Sequence, residues 1–392
     1  MDSPKKCGGK RFYRGFLAID SGAKCWQYFP PNYPEESPMK LTRRNFLAAT
    51  GAAAAGFSLP SSVFGQEEKK LNFYNWDTYI GETTLADFRK DSGVEVKMDL
   101  FGDNAELFAK MREGNPGYDV IVPTNDFVER MWRANLLQPL DHGKIPNFRK
   151  NVDRTFRDAE FDPGRKFSMP YMWGTMGIGY RKSKVSRAPD SWSAVWGRQS
   201  NQHAGRIGWI SEPGSMIGMT LRYLGYSFNS TDREQIRQAA TQLIEYKKNV
   251  KGIFEDNGQD LLASGEVDLV VEWNGDIAQL INEDPDIGYV IPKEGGYYWQ
   301  DCLCIPAGAP HPENAHAFIN YLLDAEVGRD LAEYIEYATP NEAARKLTDA
   351  SYRNNPAIFP PKKVQEKLEP SLYLGEARAQ LIDEVWTGIL AS

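Results

Sequence analysis

From Leu71 onward, short apolar runs alternate with amphipathic stretches, and this alternation restricts the fold more than any other feature of the chain. LNFYNW reads as a strand, and TTLADFRKDSG reads as a helix with Leu85 and Phe88 on one face and Gly93 as its stop. VEVKMDLF is the next strand, NAELFAKMREG the next helix, and YDVIVP a buried strand before the helical DFVERMWRANL. Strands that run the same way need a crossover to return, so this order predicts a mainly parallel sheet with helices on both faces.

A second series of the same kind follows. The segment SMPYMWGTMGIGYR, Ser168 to Arg181, alternates aromatic residues with glycine and predicts two short extended runs that cross between lobes. RIGWI, VDLVVEW, DIGYVIP and YYWQDCLCIP are predicted strands. SMIGMTLRYLGY, DREQIRQAATQLIEYKKN, WNGDIAQLIN and ENAHAFINYLLDAEVGRDLAEYI are predicted helices. There is no internal repeat, low-complexity tract or heptad pattern. The expected fold class is α/β with two lobes, each a mixed, mainly parallel sheet flanked by helices, and a ligand cleft between them where strands end. Residues 66–177 and 299–340 are assigned to lobe 1, and residues 178–298 and 341–392 to lobe 2.

The N-terminus reads as a targeting segment. Residues 42–65, TRRNFLAATGAAAAGFSLPSSVFG, carry Arg43 and Arg44, then Phe46 and Leu47, an Ala/Gly-rich stretch and small residues before a cut after Gly65. This is the pattern of a twin-arginine export signal over residues 39–65. A membrane anchor is the rival reading, but the stretch is short and weakly apolar, no lipobox cysteine follows, and no later segment reads as membrane-spanning. Residues 1–38 stand where no ordinary signal would place them, and a translation start at Met39 is expected.

The first 65 residues hold 9 Lys/Arg and 4 Asp/Glu, so the remainder has 37 basic and 49 acidic residues, net −12. That balance argues against nucleic acid and for a cationic ligand, although much surface acid serves only solubility. Cys302 and Cys304 fall two apart in DCLCIP, on one face of a strand where a bridge would be strained, so they read as small core side chains. With four histidines and no Cys/His cluster, no metal and no cofactor are expected.

Four clusters of aromatic and acidic residues fall where strands end. NWDTY holds Trp76, Asp77 and Tyr79; PTND holds Asp126; VVEWNGD holds Glu272, Trp273 and Asp276; YYWQD holds Trp299 and Asp301. Each has a bland reading. A strand-terminal acid is often a helix cap or a first-turn acid facing the helix dipole, as Asp276 before IAQLIN would be, and lone aromatics are usually core. Together they carry more, because strand ends of an α/β sheet converge on one crevice. Tryptophan and tyrosine faces attract ammonium groups and clasp methylene chains, while carboxylates match their charge, so the set suits a linear alkyl polyamine. GxSxG, HExxH, a phosphate loop and a dinucleotide fingerprint are all absent, so the chain offers no catalytic constellation. Tyr297 and Tyr298 could hold ferric iron, but no histidine stands near them in sequence and packing is expected.

The chain resembles the periplasmic spermidine/putrescine-binding proteins of polyamine ABC importers. The likeness is carried in collinear order by FYNWDTYI, YDVIVPTNDFV, FSMPYMWGTMGIGY, DSWSAVW, LRYLGYS, VVEWNGD, IPKEGGYYWQD, FINYLLDAEV and YATPNEAARKL. It implies a two-lobe periplasmic binding fold that closes on an extended polyamine without catalysis. Trp76, Tyr79, Trp273 and Trp299 would be aromatic walls, with Asp77, Thr124, Asp126, Asp276, Asp301 and Tyr337 beside the amine. Glu212 stands where spermidine-type members begin a pair of acids, but Ser215 replaces the second; Asp126 replaces a tyrosine and Thr78 replaces an acid. The acids are redistributed, which leaves putrescine, spermidine and longer amines open. The expected partners are an ABC permease and its ATPase, the expected state a periplasmic monomer. Rival roles are a polyamine sensor for a membrane receptor, a carrier of another cationic ligand, and an exported enzyme.

Overall fold

The computed structural model describes residues 67–255 and 257–392. The export signal and upstream start expected above lie outside these residues. The strands are β1 (Lys70–Asn75), β2 (Glu95–Leu100), β3 (Val120–Ile121), β4 (Ser168–Arg181), β5 (Ile207–Ile210), β6 (Val250–Phe254), β7 (Leu269–Trp273), β8 (Ile287–Val290), β9 (Gly296–Cys304) and β10 (Leu368–Pro370). They hydrogen-bond in the order β2-β1-β3-β9-β4-β7-β5-β6, with β10 on β9 and β8 on β4.

Two strands hold this sheet together. Every antiparallel pairing between two of these strands involves β4 or β9, whereas β1 with β2 and β3, β5 with β6 and β7, and β10 with β9 are parallel. β4 is a single strand rather than the two short runs expected from its glycines. From Ser168 to Thr175 it pairs with β9; from Met176 to Tyr180 it pairs with β7, and β8 takes up Ile178 to Arg181. One strand therefore belongs to two groups of strands. Its glycines mark close approach: a Cβ on Gly174 would collide with the Trp299 indole and the Asn274 amide.

Alternation along each strand builds a core on both sides. On β1, Leu71 and Phe73 enter the main core, where Phe73 meets Phe318 edge-on at 5.2 Å, while Tyr74 points the other way and stacks on Tyr118 at 4.3 Å. On β9, Tyr297, Trp299 and Leu303 share the main core, and Cys302 and Cys304 turn to the opposite face as free, fully buried thiols. Each fully buried aromatic or aliphatic side chain contributes about 1.5–3 kcal/mol, so these layers supply most of the driving force for the fold.

Local signals set most element ends. The helix Thr84–Ser92 stops at Gly93, whose φ of 74° is the left-handed cap conformation and whose N–H bonds to Arg89 O. The helices expected over ENAHAFINYLLDAEVGRDLAEYI are Pro312–Leu322 and Ala325–Ile335, divided at Asp324, which caps the second through the Glu326 N–H. β6, β10 and the helix Glu376–Ala391 were not foreseen. That last helix packs on the helices Pro213–Tyr223 and Arg233–Lys247.

Candidate functional site

A cleft of about 590 Å³ opens past the ends of β1, β3, β5 and β7 and along the middle of β9, where YYWQD lies within the strand rather than at its end as expected; the eleven residues assigned to the site from the sequence line it. They arrive on different elements. Trp76, Asp77 and Tyr79 follow β1, Thr124 and Asp126 follow β3, Glu212 follows β5, and Trp273 and Asp276 follow β7. Trp299 and Asp301 are on β9, and Tyr337 follows the helix Ala325–Ile335.

The loop after β1 is held rigidly. Trp76 Nε1 donates to Val122 O at 2.9 Å, and the Tyr79 carbonyl accepts from both Asn75 Nδ2 and Tyr171 Oη at 2.9 Å. Between them Thr78 adopts φ 50°, an uncommon conformation for a residue with a side chain, and Asp77 Oδ1 accepts the Thr78 N–H. This leaves Asp77 exposed at the rim and Tyr79 buried inside.

The aromatic wall is continuous. Trp273 meets Trp299 at 5.8 Å and 89°, Trp299 meets Tyr337 at 5.1 Å, and Tyr337 meets Tyr79 at 5.7 Å, all edge to face. Gly275 makes room for it, because a Cβ there would lie 2.5 Å from the Tyr337 ring.

The acids differ in setting. Asp276 stands in the first turn of the helix Asn274–Glu283 but does not cap it; instead Tyr337 Oη donates to Asp276 Oδ2 at 2.9 Å. Asp126 accepts the Thr124 hydroxyl at 2.8 Å, and burial raises its pKa. Glu212 precedes the helix Pro213–Tyr223, where Ser215 shares a 2.6 Å hydrogen bond with the Tyr297 hydroxyl. Glu272 is fully buried, accepts the Trp273 N–H, and stands outside the cleft lining.

Asp301 is the unusual group. It is 5% exposed, and burial, with the Asp126 charge adding to it, pushes its carboxyl up to about 8. The Tyr79 hydroxyl, near Asp301 but not in a well-formed hydrogen bond to it, favours the ionised form and offsets part of that rise. Among the described residues, Asp301 Oδ1, Tyr79 Oη and Trp299 Nε1 are all buried without a hydrogen-bond partner. Burying such groups costs about 1–3 kcal/mol each, more for a charge. Three such atoms converge on this one cleft.

The sequence reading missed several lining residues, among them Phe228, Glu255, Ser371 and Arg378. Arg378 was within reach, since Leu381, Ile382, Trp386 and Ile389 recur at helical spacing and define the helix that carries it. Phe228 and Ser371 had no such signal, because they sit in connections whose path depends on distant partners. No group of three or more His, Cys, Asp or Glu is placed to hold a metal ion among the described residues. None of their helices is long and apolar enough to cross a membrane.

Two groups of strands joined by crossing strands around an acidic, aromatic-walled cleft define a two-lobe solute-binding protein of the α/β type. The chain belongs to the bacterial extracellular solute-binding protein family, which matches residues 83–360. It is 34% identical over 333 residues to the putrescine-binding periplasmic protein PotF of Escherichia coli K12, covering 81% of this chain and 90% of that one. To the spermidine/putrescine-binding periplasmic protein of the same organism it is 35% identical over 324 residues, 82% and 91% of the two chains. The solved structure of the spermidine/putrescine ABC transporter substrate-binding protein PotD from Streptococcus pneumoniae has 30% identity and a TM-score of 0.73, covering 82% of this chain and 98% of that one. The family and the two-lobe periplasmic binding fold read from the sequence both hold.

Proposed function

We propose that this chain is an exported solute-binding protein that captures a polyamine of the putrescine or spermidine class in the cleft and delivers it to an ABC permease and its ATPase. The observation that carries this reading is Asp301: a buried carboxylate with one oxygen unpartnered, in a lining where Tyr79 Oη and Trp299 Nε1 are unpartnered too. An ammonium placed there gives Asp301 its counter-charge, while Trp76, Trp273 and Trp299 hold the methylene chain and the edge of the charge. Asp276 and Tyr337 complete that end, with Asp77, Thr124, Asp126 and Glu212 along the rest. Each cation–π contact contributes about 0.5–2 kcal/mol, so two or three with paired carboxylates reach the ~8 kcal/mol of micromolar binding after association costs.

The lobes in this reading part near Thr175 in β4 and Tyr298 in β9 and close on the amine. The polyamine named for PotF and the other relatives supports the ligand class, and their periplasmic location supports export. Native mass spectrometry of protein purified without denaturation, followed by a thermal-shift panel of diamines, triamines and tetramines, tests it. A co-purifying amine of unchanged mass and a raised melting temperature are expected. If no amine raises the melting temperature, the proposal fails.

A further inference from the structure

Tyr297, Trp299 and Asp301 lie two apart on β9 and face the cleft together, so the strand serves as a ruler along it. At a rise of about 3.4 Å per residue, Asp301 and Tyr297 mark points roughly 14 Å apart. The Asp301 point is acidic and aromatic. At the Tyr297 point the ring stacks on Phe228 at 4.4 Å and the hydroxyl bonds to the neutral Ser215, with the Glu212 and Asp126 carboxylates acting on it from nearby.

A cation is tied to the residue that stacks on Tyr297. Arg378 lines the cleft and is fastened from behind, with Nε donating to Ser230 O at 2.9 Å and Nη2 to Phe228 O at 3.1 Å. Both partners are uncharged, and no carboxylate among the described residues lies within ion-pair distance of it. Burial holds the guanidinium below its ordinary range while Asp126 pulls the other way, yet an arginine stays charged at neutral pH. The other arginine of the lining, Arg130, is neutralised by a two-bond pair with Glu376, each bond 2.7 Å.

With one ammonium at Asp301, a diamine joined by four carbons reaches roughly 6 Å along the strand, given bonds of about 1.5 Å, and ends near Trp299. A triamine lengthened by an aminopropyl arm reaches roughly 11 Å and brings its last ammonium toward Tyr297. We propose that Arg378 is a specificity-determining residue: its anchored guanidinium repels a third ammonium at the Tyr297 end and sets the cleft to a short diamine over a triamine. Glu212 and Asp126 border the same region and moderate the repulsion, so the outcome is a preference. Rejecting the longer ligand with a like charge is an economical route to selectivity, because the contacts that hold the shorter one need not change.

This inference rests on the polyamine reading, and its test separates the two. Calorimetric titrations of 1,4-diaminobutane and of spermidine would be run on the wild-type protein, Arg378→Gln and Arg378→Lys, with circular dichroism confirming each fold. Wild type is expected to bind the diamine at least about tenfold more tightly than the triamine, a difference of about 1.4 kcal/mol. Arg378→Gln is expected to gain about tenfold for spermidine with the diamine nearly unchanged, and Arg378→Lys to keep the wild-type ratio. A wild-type preference for spermidine overturns the inference, as does a ratio that Arg378→Gln leaves unmoved. If neither amine binds the wild type, the polyamine reading itself has failed.

Discussion

The Tyr337 hydroxyl donates to Asp276 Oδ2 at 2.9 Å, tying the segment that follows one helix to the first turn of another across the cleft wall. The same ring lies edge to face with Trp299 and Tyr79, so one residue sets both the aromatic wall and the orientation of an acid. Tyr337→Phe keeps the wall and removes the bond. A hydrogen bond to a charged group is worth about 1.5–3 kcal/mol, so a tenfold or greater loss of amine affinity by calorimetry is expected. Gly275→Ala, which drives a methyl group into the ring, should cost more and also lower the melting temperature.

Asp301→Asn should weaken polyamine binding more than any other single change in the cleft, because an ammonium enclosed there loses its counter-charge. A loss of about 3–5 kcal/mol is expected, the range for breaking a buried charge pair. Unchanged affinity would remove Asp301 from the account.

The same substitution should stabilise the unliganded protein at high pH. The Asp301 carboxyl, near 8 in the folded chain, returns to about 3.9 when unfolded. Between these values the folded state holds a proton that the unfolded state has lost, so this group's contribution falls as pH rises through that window and then levels off. Asp301→Asn removes the penalty. Urea melts should therefore find the variant about equal to wild type near pH 4 and more stable by a few kcal/mol near pH 9; an advantage that shrinks as pH rises would contradict this.

Binding carries the mirror image of that dependence. An ammonium favours the ionised carboxylate, so below about pH 8 capture must release the Asp301 proton. Diamine affinity is expected to strengthen by up to about tenfold per unit between pH 6 and 8. Titrations in buffers of different ionisation enthalpy should show proton release, and Asp301→Asn should abolish it.

The pair of Arg130 and Glu376 joins the helix Asn125–Arg133 to the start of the C-terminal helix, and Tyr373 Oη braces Glu376 at 2.8 Å. Glu376 is half exposed, so solvent screens the pair and Glu376→Ala should cost less than about 1 kcal/mol of stability. A faster amine off-rate by stopped flow, with equilibrium stability nearly unchanged, is expected if the pair latches the closed cleft.

How much of this was legible depends on how local each cause is. Strands such as Leu269–Trp273 and their site residues could be read because apolar runs and the polar residues ending them are contiguous, and strand ends share one crevice. β4 was read as two runs because its glycines look like breaks; they are places where Trp299 and Tyr289 press on the strand, which only the packed fold reveals. β6, VKGIF, sets an exposed Lys251 and a glycine among its apolar residues and β10 is three residues long, so neither shows a regular strand alternation. Asp276 was open between capping and the cleft, and its bond to Tyr337, sixty-one residues away, lies beyond any local pattern. Arg378 sits on a helix whose apolar spacing is legible, but its place in the cleft is set by distant anchors, the carbonyls of Phe228 and Ser230.

The central claim is that this cleft takes a polyamine through Asp301. Calorimetric titration of 1,4-diaminobutane into wild-type protein and Asp301→Asn at pH 8 tests it most directly. The account predicts one saturable site per chain at micromolar affinity or tighter in the wild type and a loss of at least about a hundredfold in the variant, about 2.7 kcal/mol. No binding heat in the wild type, or equal affinity in the two proteins, would contradict it.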